Sequence, residues 1–74
     1  MAQREEDRLA GTISGLVEGK YYGFIVVPGH RKDYFFHGSS LRGVTFEELA
    51  PGDRVTFVVV DTEKGIRAVG VERI

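Results

Sequence analysis

The sequence predicts an all-β chain, with five short strands closed into a small antiparallel Greek-key barrel. Three observations carry this. From Arg54 to Asp61, Val55, Phe57 and Val59 alternate with Thr56, Val58 and Val60, and β-branched residues suit a pleated, half-buried surface. Turn-forming groups, among them Val27-Pro28-Gly29-His30 and Asp61 to Gly65, recur at short intervals. Only one connection is long, the third, from Gly38 to Asp53.

Taken in order, residues 1–8 (Met1 to Arg8) are polar and charged with no apolar face, and are expected to form a flexible tail or at most a short helix. Residues 9–74 are expected to form the folded domain. Leu9 to Val17 reads as the first strand, with Ile13 facing in. Gly11 and Gly15 inside it signal a bulge or sharp bend, which a small barrel needs in order to close. Glu18-Gly19-Lys20 is a turn. Tyr22 to Val27 is the second strand and Asp33 to His37 the third, paired antiparallel across the Pro28-Gly29 turn. In the long connection, Ser39 to Leu41 suits a helical turn. Thr45-Phe46-Glu47-Glu48 has the spacing of a capping box, and Pro51-Gly52 stops anything helical. Leu41, Phe46 and Leu49 are expected to cover one barrel end. Arg54 to Asp61 is the fourth strand and Arg67 to Arg73 the fifth. Either Ala68 and Gly70 or Val69 and Val71 could face the core in the last strand.

Seventy-four residues make one domain, and a chain this short buries only roughly 60% of its unfolded surface. It has no cysteine, so neither disulfides nor thiolate metal sites contribute. No apolar run approaches the ~20 residues of a membrane span, and no signal-peptide pattern follows Met1; a soluble, cytoplasmic, monomeric protein is expected. The net charge is −1, but it is unevenly spread. Lys20 to Arg42 carries a local +3 and Gly43 to Glu63 a local −4. A small basic patch of this kind supports weak, salt-sensitive contact with phosphates.

Six of the eight aromatic residues lie in Lys20-Tyr21-Tyr22-Gly23-Phe24-Ile25 and Asp33-Tyr34-Phe35-Phe36-His37. Side chains alternate faces along a strand. With Gly23 and Ile25 turned inward, Tyr22 and Phe24 face out. With Tyr34 and Phe36 inward, Phe35 and His37 face out, and the Tyr34 hydroxyl reaches the rim. Exposed rings on adjacent strands forgo burial worth ~1.5–3 kcal/mol each, and such a patch marks a binding surface. The bland alternative is a register one residue off, with these rings in the core. A barrel this small cannot bury six rings from two strands, which argues against it. Every base has a π-face, so such rings can give sequence-tolerant stacking, and nearby cations can follow a phosphate backbone.

The two aromatic stretches carry a family resemblance. The first resembles the ribonucleoprotein motif of cold-shock domains, Lys-Gly-Phe/Tyr-Gly-Phe-Ile. The second resembles that family's partner motif, Asp-Val-Phe-Val-His-Phe. Ser39 and Leu41 after the motif, and Leu49-x-x-Gly52-x-x-Val55-x-Phe57, also look like the family. The resemblance covers about Gly11 to Ile74. It implies a five-stranded OB-fold barrel that binds single-stranded RNA or DNA, as an RNA chaperone or a regulator of transcription or translation. By position it implies Tyr22, Phe24, Phe35 and His37 as base-stacking residues, with Lys20 and Lys64 as basic contacts. Tyr21, Arg31 and Lys32 are secondary candidates.

This chain departs from the family pattern at the first strand, where Ser14, Gly15 and Leu16 stand in place of lysine, tryptophan and phenylalanine. Gly38 replaces the phenylalanine after the motif histidine, and Tyr21 replaces a glycine. With each lost ring costing ~1–3 kcal/mol, binding is expected to be weaker by roughly two orders of magnitude or more. The missing tryptophan, Gly38 and the overall acidity motivate a second reading, a small barrel for protein–protein contact.

No catalytic residues, cofactor, metal or small-molecule substrate are expected. Ser39 and Ser40 lack a nucleophile elbow, and Glu47 and Glu48 read as a solvated turn. His37 has only His30 as a second histidine, so it reads as a stacking or edge ring, and His30 as a solvent-exposed turn residue. Arg31-Lys32 is either a phosphate contact or an ordinary polar loop.

Overall fold

Five strands form a closed sheet in the computed structural model, which describes residues 8–74: Leu9–Val17 (β1), Tyr22–Val26 (β2), Tyr34–His37 (β3), Arg54–Thr62 (β4) and Gly65–Arg73 (β5). Their order around the barrel is β1-β2-β3-β5-β4, the arrangement of an OB-type Greek key. Four junctions are antiparallel, as expected, and the closing β3–β5 pair is parallel, with Phe35 opposite Arg67. An odd number of strands cannot alternate direction all the way round a ring, so one parallel junction is unavoidable.

β1 serves two neighbours. Leu9 to Thr12 pair with β4, and Thr12 to Val17 pair with β2. The register slips between Ile13 and Gly15, leaving Ser14 as the extra residue of a bulge. The bend expected from the first-strand glycines is therefore present. Gly23 on β2 is buried so tightly that a Cβ there would lie 2.7 Å from the Gly15 carbonyl oxygen.

The core is Ile13, Ile25, Phe36, Val55, Phe57, Ala68 and Val71, closed at one end by Phe46 and Leu49, with Leu41 partly buried against it. Neither expected inward pair of β5 is right as a pair, since Ala68 and Val71 are both buried. Val58 pairs with Val69 and Thr56 with Glu72, so Phe57 alone faces Gly70 and Val71. Gly70 takes φ +60°, the left-handed geometry that lets such a bulge form. The bulge shifts the side-chain parity midway along the strand.

Element ends differ slightly from expectation. β2 stops at Val26 and β3 starts at Tyr34. The β4–β5 hairpin is longer than expected, because Thr62 pairs with Gly65 and leaves Glu63-Lys64 as the turn. The Thr62 hydroxyl donates to the Gly65 carbonyl at 2.7 Å and accepts from the Lys64 N–H at 3.2 Å. In the long connection, Gly38–Ser40 and Phe46–Glu48 form single 3₁₀ turns. Glu48 closes the capping box by accepting the Thr45 N–H at 2.8 Å. That backbone hydrogen bond, with a second from the Thr45 side chain, holds the Glu48 carboxyl below the usual carboxylate range.

Residues 1–7 lie outside the described residues, but Arg8, placed in the tail by the sequence, belongs to the barrel. Its guanidinium donates to the Thr56 carbonyl at 2.9 Å, to the Thr56 hydroxyl and to the Gly70 carbonyl. It lies 3.9 Å from Glu72, which Arg42 also pairs. A planar fork of donors suits a place where two carbonyls and a hydroxyl converge beside the bulge. A cation in a polar stretch gives no local sign of this.

Candidate functional site

β2 and β3 present one continuous face of rings because their register pairs Tyr22 with His37 and Phe24 with Phe35. The opposite faces pair Gly23 with Phe36 and Ile25 with Tyr34. Of these, Ile25 and Phe36 are fully buried and Tyr34 is partly buried against the core. The inward and outward sets are those the alternation predicts.

The outer rings are half-buried because they shield one another. Tyr22 packs tilted on Phe35 at 5.2 Å between centroids and edge-on to Phe24 at 5.8 Å. Phe24 meets Phe35 edge-on at 6.1 Å. Mutual contact joins the three rings into one platform. His37 is oriented by the turn that follows it, its Nδ1 accepting the Ser39 N–H at 3.1 Å. The Ser39 hydroxyl lies 3.0 Å from the same nitrogen.

The sequence reading missed Arg67. It stands opposite Phe35 across the parallel junction, with its guanidinium carbon 5.1 Å from the Phe35 ring centroid. A cation over a ring face is a favourable pairing, and here it also puts positive charge beside the platform. Its only sequence signal was a position on β5, whose facing could not be settled from alternation.

The other candidates lie in the turns that lead into β2, join β2 to β3 and join β4 to β5. Lys20 is exposed in the 3₁₀ turn Glu18–Lys20 that leads into β2. Lys64 is exposed in the β4–β5 turn, where it lines a cleft of about 380 Å³ with Thr62, Glu63 and Arg67. Arg31 and Lys32 are exposed in the β2–β3 connection and line a cleft of about 330 Å³ with His30, Asp33, Tyr34 and Ile66. His30 is exposed as expected, and its Nδ1 lies 2.6 Å from the Tyr34 hydroxyl at the rim. Ser14, on the β1 bulge, bonds to Asp33 at 3.2 Å. Arg42 does not join the basic group around the rings, because it is drawn to Glu72 beside Arg8.

Tyr21 and Gly38, which drew attention separately in the sequence, form a pair. The Gly38 N–H donates to the Tyr21 carbonyl at 2.9 Å. A Cβ on Gly38 would collide with the Tyr21 ring. The ring at position 21 thus occupies the space that a side chain at position 38 would need. It lies edge-on to His37 at 5.6 Å and tilted on Phe46 at 4.7 Å.

Among the described residues no group of three or more His, Cys, Asp or Glu side chains is placed to hold a metal ion. No helix among them is long and apolar enough to cross a membrane.

Comparison with known proteins gives a consistent picture. The family model for the 'Cold-shock' DNA-binding domain matches residues 9–74. The Pseudomonas aeruginosa major cold shock protein CspA is 39% identical over 62 residues, covering 84% of this chain and 88% of that protein. The Escherichia coli (strain K12) cold shock-like protein CspC is 37% identical over 67 residues, covering 90% of this chain and 97% of that protein. Among solved structures, drosophila Unr CSD456 superposes with a TM-score of 0.74 at 26% identity, covering 90% of this chain and 26% of that longer one.

Proposed function

The chain belongs to the cold-shock domain family, and from that membership and its ring face we propose that it binds single-stranded RNA or DNA without catalysing a reaction. The observation that carries this is the cross-strand set Tyr22–His37 and Phe24–Phe35, with Arg67 over Phe35. The bases stack on Tyr22, Phe24, Phe35 and His37. Arg67, Lys20 and Lys64 contact the sugar–phosphate backbone, and Arg31 and Lys32 extend that contact along the β2–β3 connection.

Stacking explains why the ligand is single-stranded. Bases in a duplex already cover each other's faces, and exposing them costs the stacking that the rings would return. Holding unpaired bases open is the physical basis of an RNA-chaperone activity. The sequence predicts low affinity, and the β1 face supports that, since Ser14, Gly15 and Leu16 add no ring to the platform.

The test is a fluorescence-anisotropy titration with labelled oligo-dT, oligo-U and a duplex of matched length at low salt. Saturable binding of the single strands with much weaker binding of the duplex is expected. No binding at high micromolar protein, or equal binding of duplex and single strand, overturns the proposal.

A further inference from the structure

Among the described residues, Arg67 is the one cation placed over a ring of the platform. Backbone pairing sets its place from two sides, since it lies opposite Phe35 on β3 and opposite Val60 on β4. Its side chain is half-buried. Arg8, Arg42 and Arg73 are each drawn to a carboxylate, whereas Arg67 has no such partner among the described residues. Its planar fork of N–H donors is therefore held in position with its hydrogen bonds unspent. It also borders the cleft that Thr62, Glu63 and Lys64 line, which leaves room beside it.

The guanidinium carbon stands 5.1 Å from the Phe35 centroid. A base that stacks on Phe35 must share that ring face with the guanidinium. Flat groups that share one face meet edge to edge, so the fork reads the edge of the base. The edge that suits a fork of donors carries two adjacent acceptors. Guanine has this in O6 and N7, whereas adenine sets an amino donor beside its N7 and thymine offers O4 beside a methyl group. Cytosine also has two adjacent acceptors, O2 and its ring nitrogen, but its single ring covers less of Phe35 while reaching the fork. We propose that Arg67 makes this chain select a guanine at the position stacked on Phe35, by donating to O6 and N7 together. This deepens the ring-face reading and rests on it. A guanidinium has further N–H groups, so the same side chain can still meet a neighbouring phosphate.

The experiment measures, by anisotropy at low salt, the affinity of dT heptanucleotides that carry one central dG, dA, dC, deoxyinosine or 7-deaza-dG. For the natural chain, dG and deoxyinosine, which share O6 and N7, should bind roughly fivefold or more tighter than dA, as a bidentate pair gives. 7-Deaza-dG lacks the N7 acceptor and should lose most of that gain. Arg67→Lys keeps the charge without the fork, so the ratio of dG to dA affinity should fall to near one, whatever the change in affinity for oligo-dT. Thermal unfolding shows whether that variant folds, and the 7-deaza-dG comparison decides the matter without it. A dG oligonucleotide that binds no tighter than dA or dC, a 7-deaza-dG equal to dG, or a preference that survives in folded Arg67→Lys overturns the proposal and leaves the ring-face reading standing. Failure of the natural chain to bind any of these oligonucleotides overturns both.

Discussion

Phe35 and Phe36 are neighbours in sequence and opposites in role, which makes them a sharp test of the register. Phe36 is fully buried against Gly23, while Phe35 lies half-buried on the outer platform beneath Arg67. Phe35→Ala should lower affinity for oligo-dT by roughly fivefold to 150-fold, equivalent to losing ~1–3 kcal/mol of stacking, with little change in thermal unfolding. Phe36→Ala should cost about 3–5 kcal/mol of stability, a large part of what a domain this size has. Comparing melting curves and anisotropy for the two variants checks this, and the reverse pattern would mean an inverted register. Tyr21 shows a different residue-scale balance. Its φ is 62°, and holding a tyrosine in the left-handed region costs about 1–2 kcal/mol. Its contacts with Phe46 and His37 offset that cost, and Gly38 leaves the room that makes them possible. Period-two alternation made Phe35 and Phe36 legible. The Tyr21–Gly38 pair was not, because only folding brings those two positions together.

The strands owe their shape to two irregularities, each with its own support. The β1 bulge at Ser14 lets one strand turn from β4 to β2, and the Ser14 hydroxyl bonds to the Phe24 carbonyl and to Asp33. The β5 bulge at Gly70 brings Ala68 and Val71 both inward, and Arg8 ties the nearby carbonyls of Thr56 and Gly70 together. Arg8→Ala should remove these hydrogen bonds and destabilise the barrel by about 1–3 kcal/mol. In a domain of this size each kcal/mol lowers Tm by roughly 4–8 °C. Arg8→Lys should recover only part of the loss, because an ammonium cannot reproduce the planar fork. Thermal unfolding of both variants is the check, and a Tm unchanged in Arg8→Ala would show that the strap contributes nothing. The glycines of β1 gave a local hint of its bulge. For β5, alternation left two inward sets open because a parity break midway along a strand belongs to neither.

At the scale of the whole molecule, a chain of net charge −1 has no strong field with which to attract a polyanion. On the proposed reading its cations act locally, through Lys20, Arg31, Lys32, Lys64 and Arg67, while Arg8 and Arg42 pair with Glu72. If all five local cations meet phosphates, log affinity should fall with log salt at a slope no steeper than about −3.5 for a single strand. Titrations from low to physiological salt measure that slope. A steeper value would implicate further cations, and a flat one would remove phosphates from the interface. The sequence by itself determined the strand count, the long third connection, the two ring-bearing strands and which rings face out. These follow from alternation and turn chemistry, which act over a few residues. Only the tertiary structure decided the parallel β3–β5 closure, the place of Arg67 over Phe35, the Arg8 strap and the fit of Tyr21 into the space at Gly38. Each of these depends on segments that meet only when the barrel closes, and no local pattern records where a closed ring brings its ends together.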